Sequence, residues 1–246
     1  PNIVLGHSVG EIVAACIASV FDLKGAVRLV FARAKLIHEL PVKGGMLSVA
    51  LEEEAVKKLI QPYKNISIAA INALSSVVVS GDIQEINNLE IHCNNEKIRN
   101  KKLQVSQAFH STLLKDVIRP FRKELETISF YAPQIKFISN VSGKLVSQDE
   151  ITNPDYWCKH VLSPVRFYDS VKELENQNIN FFLEIGANGV LTELCKKSIS
   201  LNNIYFGGAI KERSTDWNEI NDCVGKLFLA GYPFKWSEFY KPFHFK

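Results

Sequence analysis

The apolar run Ile3-Val4-Leu5 passes straight into Gly6-His7-Ser8-Val9-Gly10, and a second apolar stretch continues to Val20. Residues 2–5 read as a short buried strand. Residues 9–20 read as a helix, apolar nearly all round and therefore expected to be buried. In that context G-x-S-x-G is a nucleophile elbow: the turn strains the serine backbone, and flanking glycines relieve Cβ clashes. Ser8 Oγ should then stand at the carboxyl end of the strand, above a helix N-terminus. The Val9 N–H should point to where an oxyanion would form. The competing reading is a tight turn with Ser8 as an ordinary N-cap; the strand and buried helix on either side favour the nucleophile.

A second helix is expected over 24–40. Beyond it, strands at 46–51, 66–73, 76–81 and 97–106 alternate with helices at 52–63 and 82–93. That βαββαβ order is ferredoxin-like and self-contained, so 46–106 reads as a small subdomain inserted into a larger one formed by 1–45 and 107–246. The larger part continues with a helix from Ser111 that Pro120 should kink or end, and a strand at 135–139 followed by the turn Asn140-Val141-Ser142-Gly143-Lys144. A helical stretch at 155–177 is broken at Pro164. A buried strand at 179–186, a helix at 189–199, a strand at 203–208 and a helix at 216–230 complete the chain. Alternating strands and helices argue an α/β sheet covered on both faces.

Composition excludes several classes. The 246 residues carry a net charge of +3 without a dense basic patch, which gives no footprint for nucleic acid. No apolar run is long enough to span a membrane and no leader opens the chain. Cys16, Cys93, Cys158, Cys195 and Cys223 are widely spaced, without CxxC or metal-ligand intervals. They read as thiols of a reducing, cytoplasmic compartment, with no metal site.

A serine nucleophile needs a base. Among His7, His38, His92, His110, His160 and His244, the best placed is His110, at a strand end just before Ser111 caps a helix. A helix N-terminus disfavours imidazolium and leaves a neutral acceptor. His7 adjoins the serine but should point away, to pack or orient. Arg33 lies in the middle of the apolar arc Ala26, Leu29, Val30, Ile37 and Leu40. A guanidinium on a buried helix face needs a carboxylate partner or a ligand anion. The first is a structural salt bridge; the second is a two-pronged grip on a substrate carboxylate.

With those residues in place, the chain resembles the malonyl-CoA:acyl-carrier-protein transacylase family, most of all the acyltransferase domains of modular type I polyketide synthases. GHSVGE (6–11) matches the nucleophile motif, VRLVFARAKLI (27–37) the helix with the carboxylate-binding arginine, Arg33, and LQVSQAFHS (103–111) the segment with the general base, His110. FISNVSGKLV (137–146), DYWCKHVLSPVRF (155–167) and FLEIGANGVLTEL (182–194) follow in order and spacing.

The resemblance implies an α/β-hydrolase-like large subdomain around the ferredoxin-like insert, and a two-step reaction. Ser8, deprotonated by His110, takes a malonyl group from malonyl-CoA, and the phosphopantetheine thiol of an acyl carrier protein removes it. The domain would hold no cofactor of its own, and its partners would be the carrier protein and neighbouring synthase domains. A backbone carbonyl orients the histidine in such enzymes, and the matching position is His160. Val9 and the triplet Ala108-Phe109-His110 fall on the malonyl side of the family's preferences, with Phe109 filling the room of an α-methyl group. That methyl is worth ~1–3 kcal/mol.

The sequence departs from the family with alanine and leucine at 73–74, where glycine and proline are usual. It opens without methionine, close to its main motif, and reads as a fragment lacking the N-terminal GQG stretch that completes the oxyanion hole in relatives. Two other readings compete. A thioesterase or esterase would need an acid after the serine and a histidine near the C-terminus, where only His244 is available. A non-catalytic docking domain would bind a carrier protein without any acyl adduct.

Overall fold

In the computed structural model, which describes residues 1–41, 43–202, 204–210 and 216–241, the chain is a mixed α/β structure in two units, Pro1–Leu174 and Glu175–Lys246. The first unit opens with β1 (Ile3–Val4), α1 (Val9–Ile17) and α2 (Leu23–His38). Asp22 starts α2 as its N-cap, its carboxylate accepting from the Gly25 N–H at 2.7 Å.

The βαββαβ order is observed as β2 (Gly44–Val49), α3 (Glu53–Ile60), β3 (Ile66–Ala73), β4 (Ser76–Asp82), α4 (Ile83–Asn95) and β5 (Asn100–Lys102). Its strands form one antiparallel sheet in the order β3-β4-β2-β5. Val77 and Val79 of β4, two residues apart, lie on the sheet face that packs against the two helices. Leu47, Val49, Val56, Val77, Val79, Ile86 and Leu89 close a core of their own there.

A 3-10 turn (Thr112–Leu114), α5 (Lys115–Leu125), β6 (Lys136–Phe137), α6 (Gln148–Ile151), α7 (Pro154–Leu162) and α8 (Phe167–Asn176) follow. β1 and β6 pair in parallel, Val4 opposite Phe137. Around them Ile12, Phe21, Leu29, Phe121 and Trp157 form a second core. The link between α7 and α8 is tied to β3 by two main-chain bonds of 2.9 Å, Ile71 N–H to Val165 O and Val165 N–H to Ala69 O. That link carries Ser163 and is held against the edge strand β3 by a parallel bridge between Ala70 and Val165.

In the second unit, β7 (Phe181–Ala187) and β8 (Tyr205–Ile210) pair in parallel, with α9 (Val190–Ser198), α10 (Asp216–Leu229) and α11 (Trp236–Tyr240). Among the described residues, no helix is long and apolar enough to cross a membrane. The five cysteines are free thiols.

Several expectations are corrected. α1 is not buried all round: Val13 and Ile17 are 57% and 58% exposed, and with Leu23, Val27 and Phe31 of α2 they border an apolar groove. Each helix uses one side for the core, and among the described residues nothing covers the other. Pro120 does not end its helix. α5 runs through it, because the lost bond falls at the Asp116 carbonyl in the first turn, while Val117, Phe121 and Leu125 remain packed. The strand expected at 97–106 is regular only over Asn100–Lys102, with further main-chain bonds to the β2 segment at Arg99, Leu103 and Ser106. β7 is largely uncovered, with Ile185 87% exposed. The short helices α6 and α11 have too few turns to show a period and were not expected.

The small core makes a direct prediction. Leu47→Ala removes a fully buried side chain from the middle of β2. It should lower unfolding free energy by about 2–5 kcal/mol, measured by urea denaturation.

Candidate active site

Ser8 sits between β1 and α1 with φ 53° and ψ −118°, a strained, left-handed backbone for a residue with a side chain. Gly6 makes the turn possible, since a Cβ there would lie 2.0 Å from the Gly10 carbonyl carbon. Gly10 has a different status: a Cβ added to it meets nothing within 4 Å. Only the first of the two glycines is therefore demanded by space.

Ser8 makes no capping hydrogen bond to α1, which removes the N-cap reading. Its Oγ lies 2.7 Å from His110 Nε2 instead. His110 Nδ1 lies 2.9 Å from the Ser163 carbonyl oxygen, which can only accept, so Nδ1 carries the proton and Nε2 is the free acceptor. The Ser8 hydroxyl thus donates to Nε2, the geometry of a nucleophile beside its base. The imidazole is buried and its pKa is lowered to about 3, first by desolvation and then by the Arg33 charge. Burial, rather than a helix terminus, is what keeps it neutral.

Arg33 closes the group. Its guanidinium donates from Nη2 to Ser8 Oγ at 3.4 Å and lies 6.0 Å from the centre of the Phe109 ring. The residue is 7% exposed, its Nε is buried without a partner, and among the described residues no carboxylate pairs with it. Desolvation lowers its pKa to about 10, which leaves it charged at neutral pH. A structural salt bridge is therefore not what holds this charge. The geometry is that of an anion site next to the serine hydroxyl.

The structure brings Ser8, Val9, Arg33, Phe109 and His110 together. Val9 opens α1 with its N–H free of any acceptor among the described residues. His160 lies close but in another role. Its ring meets that of His110 edge-on at 5.9 Å and 88°. The carbonyl that takes the His110 hydrogen bond is Ser163's, because α7 ends at Leu162 and turns the extended Ser163 carbonyl out of the helix. The His160 main chain makes only a minor contribution to the His110 ring. His7 turns away from the serine, as expected, to bond Asn72 Oδ1 through Nε2 at 2.8 Å and pack on Phe167. His92 faces the Tyr63 hydroxyl at 3.4 Å, and His244 lies outside the described residues. Among the described residues, no His, Cys, Asp and Glu cluster is arranged to hold a metal.

Sequence reasoning missed the support around the serine. Asn140 Oδ1 accepts from the Ser8 N–H at 2.8 Å, and Asn140 Nδ2 donates to the Gly6 carbonyl at 2.6 Å. Glu11, fully buried, accepts from the Asn140 N–H at 2.7 Å and from the Tyr156 hydroxyl. Burial raises the Glu11 pKa to about 8, against the hydrogen bonds from Tyr156 and Asn140, which lower it. The available signals were an acidic residue inside an otherwise apolar helix and an asparagine immediately after a buried strand.

A family model described as the acyl transferase domain matches residues 1–220. A polyketide synthase of Streptomyces halstedii, GfsB, is 38% identical over 197 residues, 79% of this chain and 4% of that protein. Its counterpart GfsA is 33% identical over 97% of this chain and 3% of its own length. The acyltransferase domain from the second module of the salinomycin polyketide synthase superposes with a TM-score of 0.92 at 30% identity, covering 98% of this chain and 57% of that one. An acyl carrier protein S-malonyltransferase from Vibrio cholerae gives 0.79 at 28% identity, covering 90% of this chain and 72% of that one. The chain thus spans a small fraction of the synthases it matches, and a little over half of the solved salinomycin domain.

The two glycines of the turn should behave oppositely. Gly6→Ala should lower stability by at least ~2 kcal/mol, whereas Gly10→Ala should be neutral or stabilising by up to ~1 kcal/mol, since alanine is the better helix former. Thermal unfolding of the two variants checks this.

Proposed function

Because the chain belongs to the acyl transferase domain family, we propose that it transfers a malonyl group from coenzyme A, through an ester on Ser8, to the phosphopantetheine thiol of an acyl carrier protein in a polyketide-type synthase. The observation that carries this reading is the buried Arg33 guanidinium beside the Ser8 hydroxyl with no carboxylate among the described residues to neutralise it. A free carboxylate on the acyl group supplies the missing charge, and a planar fork grips it with two hydrogen bonds.

In the first step His110 Nε2 takes the Ser8 proton as Oγ attacks the thioester carbon. Charge develops on the carbonyl oxygen, and the Val9 N–H is the donor placed for it. The tetrahedral intermediate collapses, the C–S bond breaks, and the imidazolium returns its proton to the departing CoA thiolate. In the second step His110 takes the proton of the phosphopantetheine thiol, sulfur attacks the malonyl ester, and Ser8 leaves with that proton restored. Phe109, next to Arg33, limits the room at the α-carbon and favours malonyl over a branched extender.

The reading includes a ferredoxin-like small subdomain at 46–106 within an α/β-hydrolase-like large subdomain of 1–45 and 107–246. Support comes from the strand order β3-β4-β2-β5 with its own core, and from the strand–elbow–helix entry to α1. A cytoplasmic setting among other synthase domains, without nucleic acid or membrane as partner, accords with the free thiols and the small net charge.

Intact-mass measurement after exposure to acyl-CoA tests the proposal. Malonyl-CoA should leave a lasting malonyl mass on Ser8, released by carrier protein; rapid hydrolysis without transfer would identify an esterase instead. Arg33→Ala should slow malonyl loading on the order of 10²-fold while acetyl loading stays nearly constant. Equal losses for both would remove Arg33 from the carboxylate grip. Phe109→Ser should raise methylmalonyl relative to malonyl loading by ~10-fold.

The buried histidine sets the pH behaviour. With its pKa near 3, His110 is neutral throughout the physiological range, so the acid limb of acyl loading should lie far below the ordinary 6.5. A limb centred near 6.5 contradicts this. The unfolded state binds more protons than the folded one between those two values. His110 therefore costs stability as pH falls from about 6.5 towards 3, a slope that His110→Asn should flatten in urea titrations.

A further inference from the structure

The nucleophile is held by a residue that takes no part in the proton transfers above. The geometry points to Asn140 as the positioning residue of the reaction: its side-chain amide clamps the main chain on both sides of the elbow and reserves the Val9 N–H for the oxyanion. This rests on the reading of Ser8 as the nucleophile.

The left-handed Ser8 backbone is intrinsically costly and must be overdetermined by its surroundings to persist. Asn140 supplies that in one planar group. Its Oδ1 accepts from the Ser8 N–H at 2.8 Å while its Nδ2 donates to the Gly6 carbonyl at 2.6 Å. Relaxation of either peptide toward an ordinary turn would break a bond in a site where water cannot replace it, because Asn140 is only 1% exposed. The clamp is itself anchored. Asn140 donates its own N–H to Glu11 Oε2 at 2.7 Å, and Tyr156 joins Glu11 to Ser139, whose Oγ it meets at 2.7 Å. Ser139 Oγ accepts from the Val141 and Ser142 N–H groups at 3.0 and 3.3 Å, which holds the loop behind Asn140. Glu11 is on α1, one turn beyond the serine, so the network ties the helix to the turn that precedes it.

A chemical consequence follows. The Ser8 N–H is already used and cannot be offered to a developing oxyanion, whereas the Val9 N–H has no acceptor among the described residues. Asn140 thus determines both where Oγ stands and which main-chain donor remains.

Two substitutions test the clamp in the full-length natural protein, with single-turnover loading so that amplitude and rate constant are read separately. Two reagents are used: malonyl-CoA, and an organophosphonate that modifies activated serines whatever the acyl preference. Asn140→Ala should slow both reactions on the order of 10²-fold, with half-saturating malonyl-CoA little changed, as expected of a misplaced nucleophile. Asn140→Asp keeps the acceptor for Ser8 but turns a carboxylate oxygen on the Gly6 carbonyl. Protonation restores a donor there, so its loading should recover ~10-fold relative to wild type between about pH 8 and pH 5.5. Glu11, Tyr156 and His160 face the same spot, so the wild-type profile recorded alongside gives their titration in the absence of the new carboxyl.

Rates within about threefold of wild type in Asn140→Ala, or in Asn140→Asp at pH 8, overturn the inference, as does a loss confined to amplitude, which marks a purely structural role. If neither variant folds, amide exchange in the wild type decides, because a Ser8 amide exchanging like an open loop is incompatible with the clamp. A wild-type protein that reacts with the phosphonate but never carries malonyl refutes the proposed transfer and leaves the role of Asn140 to be read from the phosphonate rates.

Discussion

The hydrogen bond between Ser8 Oγ and His110 Nε2 joins residues 102 positions apart across the first unit, and much of the surrounding architecture serves to hold its two ends. One end is set by a strained turn that only glycine at position 6 permits and that the Asn140 amide grips. The other is set by the Ser163 carbonyl, presented where α7 stops and the chain bonds to β3. A bond of 2.7 Å tolerates little displacement of either end, so the loops carrying Asn140 and Ser163 are as much a part of the site as the side chains that react.

Electrostatics follow from dryness. Burial keeps His110 in the neutral form that can take a proton, while Arg33, buried beside it, stays charged without a carboxylate among the described residues. The Arg33 charge adds to the cost of protonating His110, as the second cause of its low pKa after desolvation. An anion bound by Arg33 would offset its charge and so raise the basicity of the imidazole.

Local signals carried far along this chain. The serine turn was legible because glycines around a serine between a strand and a helix have few uses, and Arg33 because one charge in the middle of an apolar arc needs a reason. The βαββαβ order was legible from the change of period. What escaped were contacts between distant segments. Asn140 read only as the start of a turn, because its work is done on Gly6 and Ser8, 134 and 132 positions away. The histidine's carbonyl was assigned to His160 rather than Ser163, three residues later, since where a helix ends decides which carbonyl turns outward.

By itself the amino-acid order determined the elbow, the apolar arc with its single guanidinium, the histidine beside its capping serine and the succession of elements, because each depends on neighbours within a few turns. Only the folded chain decided that, among the described residues, Arg33 has no carboxylate partner, His110 is dry, and α1 and α2 leave an apolar face uncovered. Those properties depend on which distant atoms exclude water from a group, and burial of that kind is a property of packing in three dimensions rather than of any stretch of sequence.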